Sequence, residues 1–338
     1  MHPVLFRFGN LTIGTYGLML VVGMLAGLTL ASFVARRRGL RADFFWDLAF
    51  VLLVSGLLGA RLLYLAVNWD DFLRAPAALL LARQGFVFQG GFLVALVAGI
   101  AFILWRRMPL FEVGDVLAPG LALAHGIGRI GCFLAGCCYG RVCTPGQASA
   151  WMQALAVRYP LVLDAHGIPD GMFNFAFRDQ LQAGLLDGGA PASLPLFPVQ
   201  LFEAAGNFLI CLLLLAAWRG KRFSGQIFGL YLVAYSLLRF GLEYLRGDRE
   251  RGLWFDDLLS TAQLISIATL IAGLIFLLVR SFHGLETIPA TARPPVGEPA
   301  APPPAQSDPD AAAPVELPPA AGPRRARRNR RHPRRAAP

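Results

Sequence analysis

Residues 11–34 read LTIGTYGLMLVVGMLAGLTLASFV, and the basic stretch ARRRGLR follows at 35–41. A helix needs about 20 mostly apolar residues to cross about 30 Å of hydrocarbon. The stretch therefore predicts a membrane span that ends at a basic surface. Other windows of the same kind raise the number of predicted spans to seven, near residues 11–34, 44–68, 86–105, 115–136, 197–218, 225–245 and 257–280.

The composition supports a membrane protein. The chain has 338 residues, of which 56% are hydrophobic and 15% charged, whereas soluble domains carry about 25% charged residues. Its net charge of +10 would suggest a nucleic-acid-binding protein if the chain were soluble. The position of the charges argues against this, because eight arginines lie in the last sixteen residues and leave the rest of the chain near +2.

Basic clusters give the orientation of the spans. They follow the first, third and fifth spans, all on one side of the membrane: Arg36, Arg37, Arg38 and Arg41; Arg106 and Arg107; and Arg219, Lys221 and Arg222. Because cytoplasmic loops carry an excess of Lys and Arg, we expect this side to be cytoplasmic. The N-terminus is then outside and the C-terminus inside.

Two segments lie outside the predicted spans. Residues 143–196 form the longest connection, on the outer side, and their aromatic residues predict a small folded cap. Residues 284–338 hold 14 of the 24 prolines and predict a disordered cytoplasmic tail. Its arginines favour contact with an anionic membrane surface, or a place near the ribosome, over specific nucleic-acid binding. They are Arg324, Arg325, Arg327, Arg328, Arg330, Arg331, Arg334 and Arg335.

Ionisable residues inside spans are costly and are therefore functional candidates. In the sixth span Tyr235, Arg239 and Glu243 recur every four residues and share one helix face, and Arg246 extends this stripe outward. The stripe fits a polar site, and it fits equally an ion pair that holds two helices together.

The fourth span ends in a glycine-rich stretch around Arg129, with Gly126, Gly128 and Gly131. Its glycines favour close helix packing or free amide groups that meet an anion, and its arginine suits a phosphate ligand. The spacing G-x-G-x-x-G does not indicate a dinucleotide site here, because no strand precedes it in a βαβ unit. Weaker polar candidates in other spans are Tyr16, Arg61, Gln89, Gln200 and Glu203.

Four cysteines fall within twelve residues at the outer end of the fourth span: Cys132, Cys137, Cys138 and Cys143. Their spacing does not match the paired C-x2-C pattern of zinc sites, so no metal is predicted. A disulfide, a redox pair or small-residue packing remain open.

These motifs together resemble one family. They are Tyr-Gly-Leu-Met at 16–19, Gly-Ala-Arg at 59–61, Phe-x-Gly-Gly at 88–91, Gly-Asp-x-x-Ala-Pro at 114–119, Gly-Arg-x-Gly-x-Phe-x-x-Gly at 128–136, Pro-x-Gln-Leu-x-Glu at 198–203 and Tyr-x3-Arg-x3-Glu at 235–243. In this order, over about residues 8–282, the chain resembles the prolipoprotein diacylglyceryl transferases of the bacterial inner membrane.

The resemblance implies an all-α integral membrane enzyme without metal or cofactor. Such an enzyme transfers diacylglyceryl from phosphatidylglycerol to the lipobox cysteine of a prolipoprotein. It implies catalytic roles for Arg239, Glu243, Tyr235, Gln89 and Tyr16. It implies phosphatidylglycerol binding by Arg129, Arg239, Arg61, Gln200, Glu203, Gly128, Gly131 and Arg246.

The chain departs from the family pattern at three positions. Gln89 replaces the usual His, Cys132 replaces a frequent Asn, and cysteines replace the acid after the glycine motif. Glutamine accepts no proton at neutral pH, so a general base must lie elsewhere, with Glu243 or the substrate phosphate as candidates. Two other functions stay open: a membrane thiol-disulfide oxidoreductase that uses the four cysteines, and a lipid-binding relative with altered catalysis.

Overall fold

The structure is a computed structural model that describes residues 3–8, 11–81, 85–146, 148–162, 175–247, 252–254 and 258–283. The predicted tail at 284–338, with its arginine cluster, lies outside the described residues. Part of the predicted cap, residue 147 and residues 163–174, also lies outside them.

The described elements are mainly helices. In chain order they are β1 Val4–Phe8, β2 Leu11–Gly14, α1 Thr15–Arg37, α2 Ala42–Val67, α3 Trp69–Arg74, α4 Pro76–Leu81, α5 Phe88–Trp105, α6 Leu110–Ala135, α7 Ala150–Leu155, α8 Phe175–Gln182, α9 Val199–Ala217, the 3-10 turn Trp218–Gly220, α10 Gln226–Glu243, β3 Leu253–Trp254, β4 Leu259–Ser260 and α11 Thr261–His283. Both strand pairs are short antiparallel hairpins.

Six of these helices are long and apolar enough to cross a membrane: α1, α2, α5, α6, α9 with its 3-10 turn, and α11. They match six of the seven predicted spans, so the chain is a multi-pass α-helical membrane protein. The predicted span at 225–245 coincides with α10, which is not among the six. Its polar residues, Gln226, Arg239 and Glu243, lower its mean hydropathy.

The start of the first predicted span is wrong by four residues. Residues 11–14 form strand β2, which pairs with β1, so that Val4 lies opposite Gly14. The β-branched residues of this segment favour extended backbone, and α1 begins only at Thr15. The segment is as apolar as the helix, which is why hydropathy alone did not separate them.

Large apolar side chains cover the outside of the helices. Val97 is 68% exposed, Leu212 64% and Phe282 80%, a pattern expected of surfaces that face lipid rather than water. The buried core lies between α1, α2, α6, α9 and α10 and includes Phe45, Val116 and Ile227.

Close helix crossings depend on glycine. A Cβ at Gly120 on α6 would collide with the carbonyl oxygen of Gly27 on α1, and a Cβ at Gly27 would collide with that of Gly120. Only glycine lets the two backbones approach this closely. As a result α1 packs along α6.

A buried ionic cluster joins the first turns of α6 to Lys221 and the start of α10. Asp115 is fully buried, and its Oδ2 lies 2.8 Å from Nζ of Lys221. Its carboxylate also accepts hydrogen bonds from the backbone N–H groups of Gly225 at 2.7 Å and Phe228 at 2.8 Å. Lys221 pairs in addition with Glu112. Asp115 therefore caps α10 and neutralises a buried ammonium, which fixes α10 against α6.

The α6–α9 connection, residues 136–198, has a small core of its own in its described part. Tyr139, Tyr159, Ala176 and Leu196 are buried together. The Tyr139 hydroxyl donates to Oδ2 of Asp179 at 2.9 Å, which ties α8 to the segment after α6.

Candidate active site

Three helices bring polar side chains together in the interior. α6 packs against both α9 and α10. Among the predicted site residues, Arg129 lies on α6, Glu203 on α9, and Tyr235 and Arg239 on α10.

Arg129 joins α6 to α9. Its Nη2 lies 3.0 Å from Oε1 of Glu203, and its Nε donates to Nε2 of His125 at 3.2 Å. The Arg129 side chain is 15% exposed and that of Glu203 only 2%. A buried carboxylate thus holds a guanidinium that keeps a small open surface.

Arg239 is held in the same way on α10. Its Nη1 donates to Oε2 of Glu243, one helical turn further on. The Arg239 side chain is 13% exposed and that of Glu243 is 1% exposed. The predicted stripe on α10 is thus a carboxylate-bound guanidinium with Tyr235 one turn before it.

His125 links the two arginines, and the sequence analysis missed it. Its ring lies 5.0 Å from the ring of Tyr235, and its Nε2 lies 3.6 Å from Oε1 of Glu203. It accepts a hydrogen bond from Arg129 and lies against Tyr235, which is one turn before Arg239 on α10. Both guanidinium charges act on its ring, so the two groups lie on either side of His125. The spacing of four residues between His125 and Arg129 could have revealed that both lie on one face of α6.

The end of α6 forms a turn that gathers three cysteines. Gly136 ends the helix in the left-handed conformation, with φ 76°, as glycine commonly does after a helix. Cys138 also has a positive φ of 55°, a strained value for a residue with a side chain. The Sγ atoms of Cys132, Cys137 and Cys138 consequently lie within 4.8 Å of one another.

The pKa values of the Cys137 and Cys138 thiols are shifted in opposite directions. Hydrogen bonds with Cys132 and Cys137 lower the pKa of the Cys138 thiol, and the charges of Arg129 and Arg246 lower it further. The same hydrogen bonding raises the pKa of the Cys137 thiol.

Gln200 anchors this turn to α9. It is fully buried, and its Nε2 donates to the carbonyl oxygen of Cys137 at 2.9 Å and to the Tyr159 hydroxyl at 3.2 Å. The next residues are held by backbone pairing. The N–H of Gly140 donates to the oxygen of Phe197, and Gly140 is bridged with Arg246 after α10. The predicted residues Gln200 and Arg246 thus both brace the cysteine turn.

One buried oxygen next to Glu203 on α9 lacks a hydrogen-bond donor within the described part of the chain. It is Oε1 of Gln200, whereas Oε1 of Glu203 is paired with Arg129. Buried acceptors are normally satisfied. Oε1 of Gln200 could therefore accept a hydrogen bond from a ligand hydroxyl.

The glycines near Arg129 do not provide free backbone amides for an anion. Gly128 and Gly131 lie inside α6, where backbone N–H groups bond within the helix, so the expectation of free amides that meet an anion is wrong. A Cβ at Gly131 would lie 2.8 Å from Cβ of Met19 on α1, whereas Gly128 has open space around it. Gly131 therefore serves close packing.

Tyr16 lies beside the cysteine turn. It is in the first turn of α1 and is 44% exposed, and a Cβ at Gly131 would lie 3.5 Å from its Cα. Its phenol interacts electrostatically with Arg129 and with the three cysteines. Two other predicted residues, Arg61 and Gln89, lie apart from this group. Arg61 donates to the carbonyl oxygens of Gly85 and Leu79 in the connection between α2 and α5. Gln89 is exposed at the start of α5, and no described hydrogen bond joins it to Arg129 or Arg239. Their assignment to the site stays a prediction.

The arrangement can bind and stabilise an anion. Two guanidinium groups, each held by a buried carboxylate, lie in a largely buried site, where charge interactions are stronger than in bulk water. Such preorganised donors stabilise a phosphate leaving group in a transition state.

Comparison with known proteins identifies the family. The family model described as "Prolipoprotein diacylglyceryl transferase" matches residues 3–279. A phosphatidylglycerol–prolipoprotein diacylglyceryl transferase of Clostridium tetani is 32% identical over 81% of this chain and 96% of its own length. One of Clostridium perfringens, numbered 2, is 30% identical over 84% of this chain and 97% of its length. One of Parasynechococcus marenigrum is 32% identical over 73% of this chain and 80% of its own length. The chain therefore belongs to the prolipoprotein diacylglyceryl transferase family.

Proposed function

We propose that this protein transfers the diacylglyceryl group of phosphatidylglycerol to the lipobox cysteine thiol of prolipoproteins. The family membership and the substrates named in its relatives support this function. The observation that carries it is the convergence of Arg129 and Arg239 on His125, with each guanidinium held by a buried carboxylate.

In the proposed reaction the thiolate sulfur of the prolipoprotein attacks the glyceryl carbon that bears the phosphate. A C–S bond forms, the C–O bond to phosphate breaks, and glycerol phosphate leaves with the electron pair. The thiol must first lose its proton, to the lipid phosphate or to Glu243, because the thiolate is the nucleophile.

Arg129 and Arg239 bind the lipid phosphate in this proposal and stabilise the charge that grows on it. Glu203 and Glu243 position the two guanidinium groups, and Tyr235 lies beside them. The burial of the two guanidinium groups supports these roles, because hydrogen-bond donors in an enclosed site interact strongly with a developing charge. Removal of one such donor typically lowers kcat by about 10²- to 10³-fold.

We assign recognition of the glycerol headgroup to Gln200 and Glu203. A glycerol headgroup offers hydroxyl donors, and Oε1 of Gln200 lacks a donor among the described residues, while the Glu203 carboxylate lies one turn further along α9 beside Arg129. Tyr16, Gln89, Arg61, Gly128, Gly131 and Arg246 remain proposed contacts of the lipid or peptide.

The finer topology is part of the proposal. Seven spans, with α10 as the sixth, place the N-terminus in the periplasm and the C-terminus in the cytoplasm of a bacterial inner membrane. The arginine clusters after the first, third and fifth spans support this orientation. The enzyme domain is then 1–283 with a periplasmic cap at 143–196, and the 284–338 tail contacts anionic lipid.

One experiment separates this function from its competitors. Purified protein is incubated with phosphatidylglycerol and a lipobox peptide, and the thioether product is sought by mass spectrometry. We expect product with wild type, and none with a peptide whose cysteine is serine. A redox enzyme would instead oxidise the peptide thiol, and a lipid-binding relative would bind phosphatidylglycerol without product. Either result would overturn the proposal.

A further inference from the structure

The cysteine turn after α6 has the composition of a soft-metal site. Cys132, Cys137 and Cys138 each offer one sulfur, and the three Sγ atoms lie within 4.8 Å of one another. In a tetrahedral zinc site with Zn–S bonds of about 2.3 Å, the sulfurs lie about 3.8 Å apart. Small rotations of the cysteine side chains would therefore bring the three sulfurs to ligand distance.

The path of the chain explains why the spacing of the cysteines did not predict this group. Cys132 lies on the last turn of α6, whereas Cys137 and Cys138 follow the left-handed Gly136. The chain thus folds back over its own helix end. The strained backbone of Cys138, with φ 55°, accompanies this turn. Such strain persists only where surrounding contacts support it.

Other residues hold the turn in place. Gln200 donates to the carbonyl oxygen of Cys137 at 2.9 Å, and the N–H of Cys137 donates to the oxygen of Cys132 at 3.2 Å. The turn is therefore braced by a fully buried side chain as well as by its own helix, which is the kind of support a ligand group needs.

The surrounding charge suits a thiolate site. Three thiolates around one Zn²⁺ leave a net charge of −1, and Cys138 interacts electrostatically with Arg129 and Arg246. Arg129 is also the guanidinium proposed to bind the lipid phosphate. The thiol group and the phosphate site are thus neighbours.

We propose that Cys132, Cys137 and Cys138 bind one Zn²⁺ ion whose fourth position takes the lipobox cysteine of the prolipoprotein. This inference rests on the proposed function. Catalytic zinc sites keep three protein ligands and one open position, and a thiol that coordinates zinc loses its proton. The ion would therefore supply the activation that Gln89, which accepts no proton, cannot supply.

Binding of the peptide thiol forms a Zn–S bond and releases one proton to water. The bound sulfur then attacks the glyceryl carbon, a C–S bond forms, and the C–O bond to phosphate breaks. Glycerol phosphate leaves with the electron pair, and the thioether, a weaker ligand than a thiolate, leaves the zinc. No oxidant or reductant is consumed.

The first test measures metal binding to full-length protein in detergent with phosphatidylglycerol. After equilibration with Zn²⁺ and gel filtration we expect about one ion per chain, the stoichiometry of a single site. Replacement by Co²⁺ should give a sulfur-to-cobalt charge-transfer band. Both signals should be lost in Cys132→Ser, Cys137→Ser and Cys138→Ser, and kept in the matched control Cys211→Ser, which alters a cysteine buried in α9.

A second measurement does not depend on the folding of variants. Wild-type protein is alkylated with iodoacetamide, with Zn²⁺ or with a chelator, and the modified cysteines are mapped. We expect zinc to protect Cys132, Cys137 and Cys138 selectively. Equal modification in both samples, or a disulfide within this group in freshly purified protein, would overturn the proposal.

The lipobox peptide tests the fourth position. Its addition should change the charge-transfer band of the Co²⁺ protein, whereas a peptide with serine in place of cysteine should leave the band unchanged. An unchanged band with both peptides would refute the open position. If chelator-treated protein forms thioether at the wild-type rate, the zinc inference fails while the transferase function stands. If the metal binds as expected but no thioether forms, the proposed function fails.

Discussion

The ionic cluster at Asp115 offers a quantitative test of what holds α10 against α6. We consider Asp115→Ala, which removes the partner of Lys221 at 2.8 Å and the acceptor of the N–H groups of Gly225 and Phe228. Removing one partner of a buried ion pair costs about 3–5 kcal/mol. The N-cap contribution is part of this cost, so we expect about 4 kcal/mol in the free energy of unfolding.

Asp115→Asn separates charge from hydrogen bonding. Asparagine keeps one oxygen acceptor for the start of α10 but loses the charge, and Glu112 still faces Lys221. We expect about 2 kcal/mol, within the range for loss of a hydrogen bond to a charged group. The free energies come from equilibrium unfolding by denaturant in detergent micelles.

The matched control is Asp71→Ala. Asp71 pairs with Arg74 at 3.8 Å on the surface, where its side chain is 64% exposed, so its loss should cost less than about 1 kcal/mol. If Asp115→Ala costs no more than Asp71→Ala, the cluster does not fix α10 and the reasoning is refuted.

Three further predictions concern packing, positioning and the tail. Gly120→Val should greatly reduce the yield of monodisperse protein in size-exclusion chromatography, because a Cβ there collides with Gly27. The control Gly241→Ala should keep the wild-type yield, because a Cβ at Gly241 meets open space. Glu203→Gln should lower kcat/KM for phosphatidylglycerol by about 10²-fold, because Glu203 positions Arg129 and misplacement by about 1 Å can cost this much. An unchanged kcat/KM in steady-state kinetics would contradict this positioning role. Truncation after residue 283 should leave the transfer rate unchanged in the same assay, and a large loss would show that the tail is not an accessory.

Hydropathy predicted most of the helices because lipid requires about 20 apolar residues for each span. It placed α2, α5, α6, α9 and α11 to within five residues at either end. It failed at residues 11–14 and at 259–260, where a short strand directly precedes the helix. Hydropathy does not distinguish an extended segment from a helix when both are apolar.

The composition of the site was partly visible in the sequence. Arg239 and Glu243 lie four residues apart on one helix, so their pairing follows from helix periodicity. The pairing of Arg129 with Glu203 joins two helices and depends on how α6 and α9 pack, which no local pattern reveals. The same holds for Asp115 and Lys221.

The cysteine group was the least predictable feature. The sequence shows four neighbouring cysteines, but which of them meet depends on the left-handed turn at Gly136 and Cys138. Cys143 follows the turn and donates to the carbonyl oxygen of Arg141 instead. Sequence spacing was therefore a poor guide to which sulfurs share a site.

Above all, we propose that Arg129 and Arg239 stabilise the phosphate as it leaves. The most direct measurement is the single-turnover rate of thioether formation from phosphatidylglycerol and a lipobox peptide, with Arg129→Gln, Arg239→Gln and the control Arg74→Gln, whose side chain is 80% exposed. We predict that each of the first two variants lowers the rate at saturating lipid by about 10²-fold or more, while the control keeps the wild-type rate. Wild-type rates in either Arg129→Gln or Arg239→Gln would contradict the account.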